Sequence, residues 1–186
     1  MYYDTICKEV EKMCYSMIYK SPVGDLTIVV DEENLIGLWI KNQKYFMSSA
    51  PNNIVPNSNI EIMQKTKNWL DRYFNGEKPD INELSLKPNG SEFRKIVWSI
   101  LCKIPYGKVI TYKEIAREVA KILNKDKMSA QAIGGAVGHN PISIIIPCHR
   151  VVGIGGSLTG YAGGIDVKKK LLELENAYIT KLFKLK

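Results

Sequence analysis

The chain has two histidines, His139 and His149, and four cysteines, Cys7, Cys14, Cys102 and Cys148, in 186 residues. That scarcity argues against a metal centre: zinc takes four nitrogen or sulfur ligands, and neither histidine lies near the Cys7–Cys14 pair in sequence. Nor do four cysteines make a disulfide framework in a chain this long. No apolar run approaches the ~20 residues of a membrane span. The start, Met1-Tyr2-Tyr3-Asp4, lacks the basic-then-apolar plan of a secretory signal. The expectation is a cytoplasmic protein, nuclear in a eukaryotic cell, with no membrane partner. Internal repeats and low-complexity tracts are missing too. The glycines from Gly153 to Gly164 lack a Gly-Lys-Thr/Ser ending, which excludes a nucleotide-binding P-loop.

What is present is the composition of an ordinary globular protein. Hydrophobic residues make up 45% and charged residues 24%, enough for a full core in one large or two small domains. The net charge of +7 favours a polyanionic partner, although lysine-rich surfaces also serve solubility.

From the N-terminal side, the stretches 14–19, 26–30 and 35–40 are rich in β-branched and aromatic residues. Short turns at Ser21-Pro22-Val23-Gly24 and Asp31-Glu32-Glu33-Asn34 separate them, which predicts an antiparallel meander. Residues 41–59, with two prolines and several asparagines, read as a loop. A helix is expected over about 60–74, with Met63, Thr66, Leu70, Tyr73 and Phe74 on one stripe. The Pro- and Asn-bearing stretch 77–90 marks a domain boundary, giving units 1–86 and 87–178 and a weakly specified tail 179–186.

The second unit opens with Ser91 as cap of a helix carrying Phe93, Val97, Ile100 and Leu101. Thr111-Tyr112-Lys113-Glu114 has the form of a capping box and starts another helix. A third follows Ser129 and runs to about His139. A helix–turn–helix followed by a strand is the plan of many DNA-binding modules, though helical hairpins often bind nothing. The third helix carries Gly134, Gly135 and Gly138, and each interior glycine costs about 1 kcal/mol relative to alanine. Either a neighbouring helix packs closely there or a partner surface approaches from outside. Asn140-Pro141 ends the helix, and Ile142–Ile146 reads as a buried extended segment.

That segment delivers Ile146-Pro147-Cys148-His149-Arg150-Val151-Val152. A thiol flanked by imidazole and guanidinium groups is a candidate nucleophile, since cationic neighbours favour the thiolate. The plain alternative is a core cysteine. A final helix is expected over about 166–178 with Val167, Leu171, Leu174 and Tyr178 buried. At about 100° per residue it turns Glu175 inward and Glu173 outward. Lys168, Lys169 and Lys170 are most simply solvated.

Taken together, these stretches resemble the O6-alkylguanine-DNA alkyltransferases, also called methylated-DNA–protein-cysteine methyltransferases. The heptapeptide is the family's active-site signature. Ile104-Pro105-Tyr106-Gly107, Thr111-Tyr112, Ala132–Val137, Asn140-Pro141 and Gly156–Gly164 match in order. The resemblance implies an α+β fold. Its N-terminal domain is a ribonuclease-H-like α/β unit, and its C-terminal domain is mostly helical with a winged-helix-like DNA-binding element.

The implied reaction is a single-turnover transfer of an alkyl group from O6-alkylguanine, and less well O4-alkylthymine, to Cys148. It needs no cofactor and no metal. The implied partner is double-stranded DNA bearing alkylated bases, engaged by a monomer. By the same resemblance His149 is the base acting through a water, Glu175 its support, Asn140 the residue positioning the Cys148 region, and Tyr112 the proton donor to the purine. Tyr161, Ala162 and Gly163 wall the base pocket. Gln131, Ala132 and Gly134 face the minor groove, and Arg94, Lys95, Lys113, Lys125, Lys127 and Arg150 complete the DNA contacts.

Two points stand against a simple carry-over. Gln131 occupies the position where the family commonly has an arginine, and no lysine or arginine occurs from Ser129 to Pro141. A non-catalytic lesion-binding protein on the same scaffold is the alternative reading; such proteins lack a cysteine at the position of Cys148.

Overall fold

The structure is a computed structural model and describes residues 12–177. Strands β1 (Cys14–Ser21), β2 (Gly24–Val30) and β3 (Leu35–Ile40) form the expected antiparallel meander. Gly24 sits at φ +110° in the first turn, a conformation that favours glycine, and Ser21 Oγ donates to the Gly24 carbonyl at 2.6 Å. The 41–59 stretch differs from its reading as loop alone. It contains β4 (Ile54–Pro56), which pairs parallel to β1 and gives the sheet order β3-β2-β1-β4. Three residues are too few for the period-2 pattern that identifies a strand, so the pairing edge of β1 decides it.

Helix α1 (Glu61–Phe74) covers the sheet with Ile62, Met63, Thr66, Trp69, Leu70 and Tyr73 buried. The boundary stretch that follows runs along the free edge of β3. Leu35 N–H donates to the Ser85 carbonyl at 2.8 Å, and Lys87 N–H returns to the Leu35 carbonyl at 2.9 Å. An unpaired strand edge is thereby covered.

In the second half, Ser91 caps α2 (Glu92–Leu101), and the Thr111–Glu114 capping box starts α3 (Tyr112–Ile122). Helix α4 (Ala130–Gly138) follows, capped by Ser129. Strands β5 (Ile110–Thr111) and β6 (Val151–Val152) pair in parallel. The fold is α+β, an N-terminal sheet unit joined to a helical C-terminal unit, as expected.

Two expectations need correction. Ile142–Ile146 is buried but is not a strand: it forms a tight turn with Ile144 at φ +72°. Asn140 closes this turn by donating Nδ2–H to the carbonyls of Ile146 (2.8 Å) and Ile142 (3.3 Å). The same turn docks on β3, where Leu38 N–H donates to the Pro141 carbonyl and Ser143 N–H to the Leu38 carbonyl, both at 2.8 Å. Helix α5 (Ile165–Leu174) stops earlier than the periodicity suggested, because Asn176 takes a left-handed conformation at φ +48° and terminates it. Tyr178 and the 179–186 tail lie outside the described residues. Among the described residues no helix is long and apolar enough to cross a membrane.

Candidate active site

Cys148 begins a single turn of 3-10 helix, Cys148–Arg150, wedged between the Asn140-closed turn and β6. That short turn sends the Cys148 side chain to the cavity, while His149 and Arg150 both reach the Glu175 carboxylate. The Cys148 thiol reaches the floor of a cavity of about 730 Å³, whose walls come from α4, Tyr112, the 153–162 loop and the N-terminal loop at Lys44 and Tyr45. Asn140 Nδ2 stands 3.1 Å from Cys148 Sγ, so one amide both closes the preceding turn and donates to the sulfur.

His149 is fully buried, and its Nε2 lies 2.7 Å from Glu175 Oε1. A carboxylate only accepts, so Nε2 carries the proton and the neutral ring keeps its lone pair on Nδ1. That Nδ1 is buried and has no hydrogen-bond partner among the described residues. Burial pushes the His149 pKa below its ordinary value, against the opposing pull of Glu175.

Glu175, the cap residue at the end of α5, is buried and accepts five hydrogen bonds from the protein. Its Oε1 accepts from His149, from Tyr73 Oη at 2.8 Å and from Arg150 Nη2 at 2.9 Å. Its Oε2 accepts from Arg150 Nε at 2.8 Å and Gly107 N–H at 3.2 Å. Burial alone would raise the carboxyl pKa, but the hydrogen bond from His149 and the hydrogen bonds and charge of Arg150 outweigh it and hold the group well below the carboxylate range.

The thiol is tuned from several sides. Burial raises the Cys148 pKa, while Asn140, the Lys168 charge and the Tyr161 hydroxyl pull it back without reversing the direction. The resting sulfur is therefore a thiol that needs a base. Tyr112 Oη donates to the carbonyls of Gly160 (3.1 Å) and Thr159 (3.3 Å), tying the start of α3 to the glycine-rich loop. Burial, and secondarily Cys148, push its pKa up to about 12. A side chain at Gly163 would force its neighbours to shift: a Cβ there would lie 2.8 Å from Ile40 Cδ1 and 2.9 Å from Tyr161 Cε1. The absent side chain lets the loop press Tyr161 toward Cys148.

Of the residues named from sequence, Cys148, Tyr112, Tyr161, Ala162, Gln131, Gly134 and Lys113 line the cavity. Asn140, His149 and Glu175 stand behind its floor. Ala132 is exposed on α4 and Arg94 half-exposed on α2, both outside the lining. Arg150 is a correction. It is buried and bound through both sides of its guanidinium, to Glu175 and to the Ile104 carbonyl at 2.6 Å, so it holds the carboxylate and is not free to meet DNA. The glycines of α4 also resolve. Gly135 and Gly138 have open space where a Cβ would point, whereas Ile133, Ala136 and Val137 carry the packing. The thin face of the helix is turned outward, into the cavity.

Lys168 is the second correction. Expected in solvent, it is fully buried and donates to the carbonyls of Val151 (2.5 Å) and Thr159 (3.2 Å). Burial lowers its pKa to about 8 despite the opposing influence of Cys148. The signal was there: Lys168, Leu171, Leu172 and Glu175 follow the i, i+3, i+4, i+7 spacing of one helix face. Tyr73, a half-polar member of the α1 stripe, was legible as core but not as a partner of Glu175.

Comparison with known proteins shows the family of the chain. Residues 13–88 match the ribonuclease-like domain of 6-O-methylguanine DNA methyltransferase, and residues 92–177 match its DNA binding domain. A methylated-DNA–protein-cysteine methyltransferase of Haemophilus influenzae is 41% identical over 169 residues, covering 90% of this chain and 89% of the relative. One from Methanosarcina acetivorans is 40% identical, covering 88% and 99%. The crystal structure of Mycobacterium tuberculosis OGT in complex with DNA superposes with a TM-score of 0.74 at 36% identity, covering 89% of this chain and 93% of that one. The chain belongs to the 6-O-methylguanine DNA methyltransferase family.

Proposed function

We propose that this protein repairs alkylated DNA by moving the alkyl group of O6-alkylguanine, and less well of O4-alkylthymine, onto its own Cys148. The observation that carries the reading is the Cys148 thiol at the floor of an open cavity, with the His149–Glu175 pair buried directly behind it.

The alkylated oxygen is inaccessible within a stacked duplex, so the nucleotide is turned out into the cavity. His149 Nδ1 takes the thiol proton through a water. Glu175, already ionised and fixed by Tyr73, Arg150 and Gly107, stabilises the imidazolium that results, which is the triad relation with sulfur in place of a serine oxygen. The thiolate forms a bond to the alkyl carbon while the carbon–O6 bond breaks, and its electron pair leaves with the purine. Tyr112 gives the purine its proton, and solvent restores the phenol. With a pKa near 12, Tyr112 gives that proton only as negative charge builds on the leaving base. Lys168 opposes its positive charge to the thiolate. The balance closes without a cofactor and ends in a stable thioether, so each molecule acts once.

The open glycine face of α4 supports a close approach of the minor groove there, with Gln131 beside the gap left by the extruded base. Exposed Lys95, Lys113, Lys125 and Lys127, with Arg94, supply phosphate contacts. We read the protein as a monomer of two units, 1–86 and 87–178, acting wherever the cell holds its DNA. Incubation with duplex carrying labelled O6-methylguanine tests the proposal. Label on the protein saturating at one per molecule, and none on a Cys148→Ala variant, is the expected result. Tight binding of the lesion with no label transferred would leave a lesion-binding protein instead.

A further inference from the structure

The N-terminal loop that reaches the cavity is held there by an unusual set of contacts. Gln43 is buried and accepts from Ile40 N–H at 2.8 Å and from Ser143 Oγ at 2.9 Å, pinning the loop between β3 and the Cys148-bearing turn. Lys44 N–H donates to the Ala162 carbonyl at 2.9 Å, which ties the loop to one wall of the cavity. Tyr45 stacks on His139 with ring centroids 3.8 Å apart, which ties it to the other. His139 in turn is fixed to α4 through Nδ1 and the Gly135 carbonyl at 2.7 Å. Asn42, Tyr45 and Met47 all adopt positive φ, between 52° and 65°, a conformation side chains rarely take without compensating contacts.

The result is a ladder of His139 ring, Tyr45 ring and Lys44 ammonium, the last 4.9 Å from the Tyr45 centroid. Lys44 is exposed, and among the described residues it enters no salt bridge. It and Lys113 are the two basic side chains lining the cavity, one from the N-terminal loop and one from the first turn of α3. A turned-out nucleotide brings a phosphodiester on each side. No lysine or arginine occurs between Ser129 and Pro141, the stretch that contains α4.

We propose that Lys44, held on the Tyr45–His139 stack, is a DNA phosphate contact supplied by the N-terminal unit, in addition to Lys113 of the C-terminal unit. The inference rests on the DNA-repair reading above. It adds that the N-terminal unit takes part directly in substrate binding.

The test is equilibrium binding to an O6-methylguanine duplex across a NaCl series for wild type, Lys44→Ala, Lys44→Arg, Tyr45→Leu and Lys65→Ala, the last an exposed control on α1. One lost phosphate contact lowers the slope of log affinity against log salt by about 0.9 and weakens binding about 5- to 10-fold near 0.1 M salt. Lys44→Ala should show that loss, Tyr45→Leu most of it, and Lys44→Arg and Lys65→Ala the wild-type slope. A wild-type slope for Lys44→Ala overturns the proposal. A wild-type slope for Tyr45→Leu alone overturns the ladder as its support. Label transfer by the wild type, measured alongside, reports on the repair reading separately.

Discussion

The Tyr73 phenol donates to Glu175 Oε1 at 2.8 Å, joining α1 of the N-terminal unit to the end of α5 across 102 residues of chain. The carboxylate behind His149 is thus set partly by the domain that does not carry Cys148. The N-terminal sheet then acts as more than a platform, since its helix fixes the orientation of the residue that orients the base.

Tyr73→Phe removes one of five donors to Glu175 while keeping the ring packed against Trp69 and Tyr106. A hydrogen bond to a charged group contributes about 2 kcal/mol, so a stability loss of that order is expected in chemical denaturation. The transfer rate should fall by no more than about 10-fold, since the remaining donors still hold the carboxylate. Glu175→Gln sets the scale for comparison, because it removes the charge that Arg150 and His149 both face. Leaving a buried guanidinium without its carboxylate costs about 3–5 kcal/mol, and transfer should slow far more than in Tyr73→Phe. Single-turnover kinetics and denaturant midpoints on the two variants give the comparison. Unchanged stability and rate in Tyr73→Phe would show that Glu175 is fixed without it.

The buried pair also fixes the sign of the acid response. Both His149 and Glu175 have folded pKa values below their unfolded ones. Below about pH 6.5 the unfolded chain binds a proton at His149 that the folded protein refuses, and stability falls as pH drops. Below about 4.3 the unfolded Glu175 does the same, and its contribution is lost progressively toward its lower folded value. Denaturant midpoints should therefore decline from about pH 7 to pH 4. A flat midpoint over that range contradicts the assignment.

Lys168→Met keeps the bulk of the side chain and removes the charge near Cys148. The thiol pKa should rise, moving the ascending limb of the pH–rate profile to higher pH and slowing transfer at neutral pH. Each unit of rise corresponds to about 1.4 kcal/mol. A slower reaction with an unmoved profile would mean that Lys168 only packs Val151 and Thr159 together.

Gln131→Arg places a cation on the cavity wall where we propose that the turned-out base leaves its gap. Tighter lesion binding and faster transfer are expected than with Gln131. Equal affinity and equal rate for the two proteins would show that the glutamine is sufficient.

Much of this arrangement was legible in the chain because local rules and the final fold agree. The Ser91 and Thr111–Glu114 caps, the Gly24 turn and the β1–β3 meander follow from short-range chemistry, and they are where the residues say they are. Helix spacing allowed Glu175 to reach inward, and the residue, the cap of α5, does so. What was hidden depends on contacts distant in sequence. Ile142–Ile146 reads as a strand until Asn140 and the edge of β3 fold it into a turn. Arg150 reads as a free cation until Glu175 and the Ile104 carbonyl enclose it. Lys168 reads as solvated until the carbonyls of Val151 and Thr159 supply partners inside the core. Tyr45 and His139, far apart in the chain, give no sequence sign of stacking.

Peptide mass mapping after reaction with excess O6-methylguanine duplex tests the role of Cys148 most directly. The expected result is a methyl group on Cys148, none on Cys14 or Cys102, and one guanine restored per protein molecule. Methylation at another residue, or restoration continuing past one guanine per molecule, would contradict that role.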